Sequence, residues 1–166
     1  MCIRDRYGGS IICGAYNWST NAYPEQGAAY VFTMPFVQIP AVRDDPRWHS
    51  NIDFDVENGS VKFFSVNQDH DRNINFRGNV STTLDSLMAT GDVMSAAVVW
   101  NNTSNSSSPH KIGNILVDGT TSGVTTEYQG GTQPTGTASS YDLYHFSIFK
   151  TAASTFVVFV NSTDFS

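Results

Sequence analysis

From residue 51 onward, apolar and polar positions alternate in short bursts separated by turn formers. Ile52-Asp53-Phe54-Asp55-Val56 alternates strictly, the mark of a half-buried strand. Asn58-Gly59 follows and predicts a tight hairpin, with residues 61–66 returning as its second strand. Residues 67–72 read as a polar turn, and Ile74-Asn75-Phe76 alternates again. Residues 84–89 read as a helical turn. Residues 93–100 form a dense apolar run suited to a central strand, followed by a low-complexity polar tip at 101–108. Residues 111–118 and 124–128 predict further strands, and 141–149 pairs with 155–160 across 150–154. About seven or eight short strands at regular spacing predict an all-β fold, an antiparallel β-sandwich of immunoglobulin-like or jelly-roll-like kind, over 51–166.

The first fifty residues differ in texture. Apolar runs at 10–16 and 28–34 flank Asn17-Trp18-Ser19-Thr20-Asn21, Pro24 and Gly27, so they predict a β-hairpin. Residues 37–50 hold Pro40 and Pro46 around Arg43-Asp44-Asp45 and read as a linker. The leader Met1-Cys2-Ile3-Arg4-Asp5-Arg6 lacks the apolar core of a secretory signal. It resembles the translated adapter-like scar that opens many metagenomic reading frames. Residues 1–6 are therefore expected to be foreign to the protein, and the chain to be the C-terminal part of a longer one.

Composition narrows the function classes. Ser, Thr and Asn make up about three residues in ten, well above ordinary usage. Charged residues are 14% and the net charge is −6. An acidic, Lys-poor chain gains nothing from neutralising phosphates, so nucleic acid is not an expected partner. No apolar run nears the ~20 residues that a membrane-spanning helix needs, so membrane insertion is not expected. Cys2 and Cys13 are the only cysteines and give no disulfide framework. Cys13, within Ile11-Ile12-Cys13, reads as a buried free thiol.

Candidate chemistry is sparse. Asp69-His70-Asp71 is the densest set of metal-ligating side chains, with Asp53 and Asp55 on a nearby predicted strand. A hard cation wants several converging oxygens; the plainer alternative is a solvated hairpin tip. No Gly-x-Ser-x-Gly elbow accompanies His110 or His145, and no catalytic residue is assigned. Trp100, Tyr128 and Tyr141 could offer stacking faces for sugars, beside the loops 101–108 and 132–140, or could fill the core. Asn58, Asn102 and Asn161 head Asn-x-Ser/Thr sequons that composition alone accounts for.

Two resemblances bear on function. Gly14-Ala15-Tyr16 and Gly27-Ala28-Ala29-Tyr30-Val31-Phe32 resemble an FG-GAP repeat, one blade of an integrin-α-type propeller, over residues 7–36. Members often hold calcium through alternating Asp residues. Here Asn17 and Asn21 stand without that Asp pattern, so no calcium or other cofactor is carried over. A lone blade lacks the neighbours that bury it, so residues 1–40 are expected to be poorly packed.

Residues 76–166 resemble a C-terminal domain of marine phage tail-fibre and other structural proteins. The landmarks are Asn75-Phe76-Arg77-Gly78, Leu84 with Leu87, Thr90-Gly91, Val117-Asp118-Gly119, Tyr128-Gln129-Gly130-Gly131, Pro134, Asp142-Leu143-Tyr144, Phe146-Ser147-Ile148 and Lys150-Thr151, closing with Phe156 and Phe165. The family usually has Trp where Tyr128 stands, and a Thr-Asn-Gly turn where Asn101-Asn102-Thr103 stands. This resemblance implies a non-enzymatic virion component, located at the virion surface. Its implied partners are further copies in a homotrimer, other virion proteins and a host-surface glycan. A bacterial secreted or cell-surface adhesin is the alternative.

Overall fold

The computed structural model describes residues 50–165 and the backbone of strands at 2–4, 10–14, 29–33 and 41–42. The chain divides into two compact units, Met1–Phe36 and Val37–Ser166.

In the first unit, β1 (Cys2–Arg4), β2 (Ser10–Gly14) and β3 (Ala29–Thr33) form an antiparallel sheet in that order. The expected hairpin is β2 with β3, in a register running from Ser10 opposite Thr33 to Gly14 opposite Ala29. Leader residues pair with β2, and Cys2 stands opposite Cys13. The loop weighed for calcium, Asn17 to Asn21, and the pair Asp44-Asp45 lie outside the described residues. So does most of the segment expected to be poorly packed.

The second unit is a two-sheet sandwich. Its strands are β4 (Ala41–Val42), β5 (Asn51–Asp55), β6 (Val61–Phe64), β7 (Arg72–Arg77), β8 (Val93–Asn101), β9 (Ile112–Val117), β10 (Val124–Tyr128), β11 (Tyr141–Ala152) and β12 (Thr155–Phe165). One sheet has the order β10-β12-β11-β8-β6-β4 and the other β5-β7-β9. The linker expected over 37–50 thus contributes a strand, because β4 pairs with β6.

The pairing directions correct the antiparallel expectation. β5, β7 and β9 pair parallel, as do β4, β6 and β8, and β10 with β12. Among the described strands of this unit, β8–β11 and β11–β12 pair antiparallel. From β4 to β10 the chain passes alternately between the two sheets, and β6, β7, β8 and β9 each lie beside the strand two earlier. The β11–β12 hairpin then inserts between β8 and β10 and closes the six-stranded sheet.

Asn58-Gly59 shows why the expected hairpin fails. Residues 56–58 form a 3-10 turn, and Gly59 takes φ 138°, a backbone conformation that costs glycine least. The turn carries the chain from one sheet to the other and does not fold it back on its neighbour.

The core lies between the sheets. Ile52, Phe54, Ile74, Phe76, Ile112, Ile115 and Val117 come from one, and Phe64, Ala96, Val98, Trp100, Tyr144, Phe146, Ile148, Phe156, Val158 and Val160 from the other. Phe76 meets Phe146 across the gap at 5.0 Å between ring centroids. The helix α1 (Leu84–Leu87) covers one end with Leu84 and Met88. Thr83 Oγ1 accepts from the Ser86 amide, and the Asp118 carboxylate accepts from the Leu84 and Asp85 amides at 2.6 and 3.0 Å. Asp118-Gly119 therefore both ends β9 and caps a helix 34 residues upstream.

Parallel sheets usually bury both faces. Here the outer face of β5-β7-β9 is polar, and side chains bond along it in register. Asn73 donates to Asn51 at 2.9 Å, Asn75 to Asp53 at 2.7 Å and Arg77 to Asp55 at 2.6 Å, and Asn79 donates to Glu57. Each pair is separated by 22 residues. A shift of one residue would break all four bonds at once, so the ladder holds the parallel register.

Lys150 is 7% exposed and donates to the carbonyl of Met88 at 2.8 Å while pairing with Asp85 at 2.8 Å. The Lys150 ammonium, with the Ser154 amide, holds the Asp85 carboxyl below its ordinary value. A carboxyl depressed in the folded state contributes stability above its unfolded pKa, near ~3.9, and loses it as pH falls through the lower folded value. The urea midpoint is expected to drop as pH falls from about 5 to 3. The drop should be smaller in Asp85→Asn, measured under the same conditions.

Candidate functional site

The residues weighed as a metal corner do not converge. His70 Nδ1 lies 2.7 Å from Asp69, and Arg72 Nη2 contacts the same oxygen at 3.4 Å. Burial pushes the Asp69 carboxyl up, but His70 and Arg72 outweigh it and hold it below its ordinary value. Asp71 turns away, accepts from the Lys111 amide at 2.9 Å and faces His110 at 3.5 Å. Asp53 and Asp55 are held by Asn75 and Arg77 in the ladder. Among the described residues, no group of three or more His, Cys, Asp or Glu could hold a metal ion.

Of the three aromatics weighed as stacking faces, Trp100 is wholly buried and is corrected to core. Its ring meets Phe64 edge-on at 5.4 Å, and Nε1 donates to the His110 carbonyl at 3.0 Å. Tyr141 is half-buried beside Phe63, with 6.1 Å between centroids. Tyr128 is half-buried, packs against the core and has its hydroxyl pushed above the ordinary value by burial.

The polar tip at 101–108 is wired to the fold. Asn102 is wholly buried and uses all four of its hydrogen-bonding positions. Its amide nitrogen donates to the His110 carbonyl at 2.8 Å and to Asp142 at 2.9 Å. Its oxygen accepts from Asn105 at 2.9 Å and from the His110 amide at 3.0 Å. Asn105 also donates to the Gln68 carbonyl and accepts from Asn67. Burial removes Asn102 as a glycosylation acceptor in the folded chain, while Asn58 and Asn161 are exposed. Gly136 completes the cluster, because a Cβ there would lie 2.1 Å from the His110 carbonyl oxygen. As expected, Asp142 caps a nearby amide, that of Thr137 at 3.1 Å.

Among the described residues, two concavities stand out. A cleft of about 280 Å³ is lined by Asn75, Arg77, Asn79, Asp118 and Gly119, among others. Its polar groups already serve the ladder and the α1 cap. The second, of about 580 Å³, lies on the outer face of the six-stranded sheet and is lined by Glu127, Tyr128, Gln129, His145, Ser147, Phe159, Val160 and Asn161. Register places Glu127, Phe159 and Ser147 in one row across β10, β12 and β11, with His145 and Asn161 paired in the next row. Phe159 is 49% exposed, and Phe149 stands edge-on to it at 5.5 Å.

Alternation along β12 signals Phe159 as outward-facing, since Phe156, Val158 and Val160 point inward. Nothing in the sequence signals that β10, whose Glu127 stands opposite Phe159, lies beside it. Comparison with protein-family models, with curated proteins and with solved structures gives no match to this chain.

Proposed function

We propose that this chain is a non-enzymatic structural module of a virion appendage, of tail-fibre kind, that presents a recognition surface to the host. The observation that carries the reading is the outer face of the six-stranded sheet. Phe63, Val99, Leu143, Phe149, Val157 and Phe159 alternate with the core residues and leave a broad, weakly polar face. In a chain of net charge −6, Glu127 on β10 is the lone carboxylate among the outward residues of β6, β8, β10, β11 and β12. A face of that size and character suits contact with another surface. The tail-fibre landmarks support the virion setting: Asp118, Asp142 and Lys150 each hold a structural bond described above.

Long-read sequencing through the source locus tests the reading. Tail, baseplate or capsid genes alongside are expected. Secretion or cell-envelope genes in their place would overturn it in favour of a bacterial surface adhesin. Sedimentation of the chain gives a second readout, with a homotrimer expected.

A further inference from the structure

We propose that the groove around Phe159 binds a neutral saccharide. Many polar side chains of the sandwich are spent on the fold: the ladder consumes Asn51, Asp53, Asn73, Asn75, Arg77 and Asn79, and the loop cluster consumes Asn67, Asn101, Asn102, Asn105 and Asp142. The groove gathers polar side chains that are not. Glu127, Gln129, His145, Ser147 and Asn161 line it, and none of their side chains bonds another described residue. Five uncommitted polar side chains surround one half-exposed ring whose orientation Phe149 fixes.

That arrangement matches the two sides of a pyranose. The sugar's C–H face is apolar and can lie on an aromatic ring. Its rim carries hydroxyls, each both donor and acceptor. Gln129 and Asn161 offer a donor and an acceptor apiece, Ser147 offers both from one hydroxyl, Glu127 accepts, and a neutral His145 ring adds one of each. Strand spacing makes the frame about 10 Å across three strands and about 7 Å along them, the scale of one or two sugar rings.

Two other occupants fit the groove less well. An extended peptide would seek the free backbone groups of a strand edge, whereas Phe159 lies on the face of the sheet, on a strand paired on both sides. An acidic glycan would meet Glu127 and the field of a chain with net charge −6.

The inference deepens the appendage reading, relying on it only for where such a sugar is met. Its test therefore uses the isolated 166-residue chain. Backbone amide shifts are followed by NMR during titration with cellobiose, chitobiose, lactose and mannobiose, with sialyllactose as the acidic control. At least one neutral disaccharide is expected to shift Glu127, Gln129, His145 and Asn161 together, with Kd near ~1 mM or tighter. Phe159→Ala should weaken binding about tenfold or more, and Gln129→Ala and Asn161→Ala about three- to tenfold each. Phe165→Ala, on the same sheet but outside the groove and 58% exposed, should leave affinity unchanged. Absence of shifts with all four neutral sugars would overturn the proposal. So would equal weakening by Phe159→Ala and Phe165→Ala, which marks unspecific apolar adsorption. Either failure leaves the locus test, and the appendage reading, untouched.

Discussion

Asn102→Ala should lower the unfolding free energy by about 3 kcal/mol, and Asn102→Asp should lower it by at least ~2 kcal/mol more. The alanine variant removes four hydrogen bonds at a wholly buried point. Three partners keep another bond: the His110 carbonyl keeps Trp100, Asp142 keeps the Thr137 amide, and Asn105 keeps the Gln68 carbonyl. The His110 amide loses the bond that pairs it, and a small cavity opens. The aspartate variant is nearly isosteric, yet it sets a carboxylate against the Asp142 oxygen and the His110 carbonyl, where the amide nitrogen had donated. Charge and donor count are both wrong there, and little water can screen them. The order wild type, alanine, aspartate is expected from urea midpoints at pH 7, with unchanged slope. Lowering the pH toward 4 should narrow the gap between the variants, as one of the paired carboxyls takes up a proton. If both substitutions cost under about 1 kcal/mol, the loop would be the loose tip that its composition suggests.

That loop marks the limit of what sequence pattern reveals. Alternation at 51–56 and 141–149 and the dense apolar run at 93–100 predict strands because each buries a face, and the structure places β5, β11 and β8 there. Alternation does not encode direction. The outer face of β5-β7-β9 is wet, so its strands read like those of an antiparallel sheet although they pair parallel. Asn58-Gly59 carries a hairpin signal, but partner choice is made by the core positions of β7, 22 residues away in the ladder. The Asn- and Ser-rich stretch at 101–108 looks like solvent-loving filler, because an amide that saturates four buried bonds has the same composition as one in water. The groove was illegible for a similar reason. It needs β10 beside β12, a parallel pairing of two strands that β11 separates along the chain.

Trp100 separates a core role from a binding role most sharply. Trp100→Ala should cost about 4 kcal/mol, since a wholly buried indole leaves a cavity that the sandwich can only partly close. Trp100→Phe should cost only about 1–2 kcal/mol. The ring remains against Phe64, and the His110 carbonyl, which loses Nε1–H, keeps the Asn102 amide as a donor. Neither substitution should alter saccharide shifts at Glu127 and Asn161 in the fraction that stays folded. A stacking platform would behave the other way, with stability kept and binding lost. The shared carbonyl makes a further demand. In Trp100→Phe combined with Asn102→Ala, the His110 oxygen loses both of its side-chain donors, so the double variant should cost about 1 kcal/mol more than the sum of the singles. Strict additivity in circular-dichroism urea titrations would mean that the two donors do not cover for one another, and that the indole is held by packing alone.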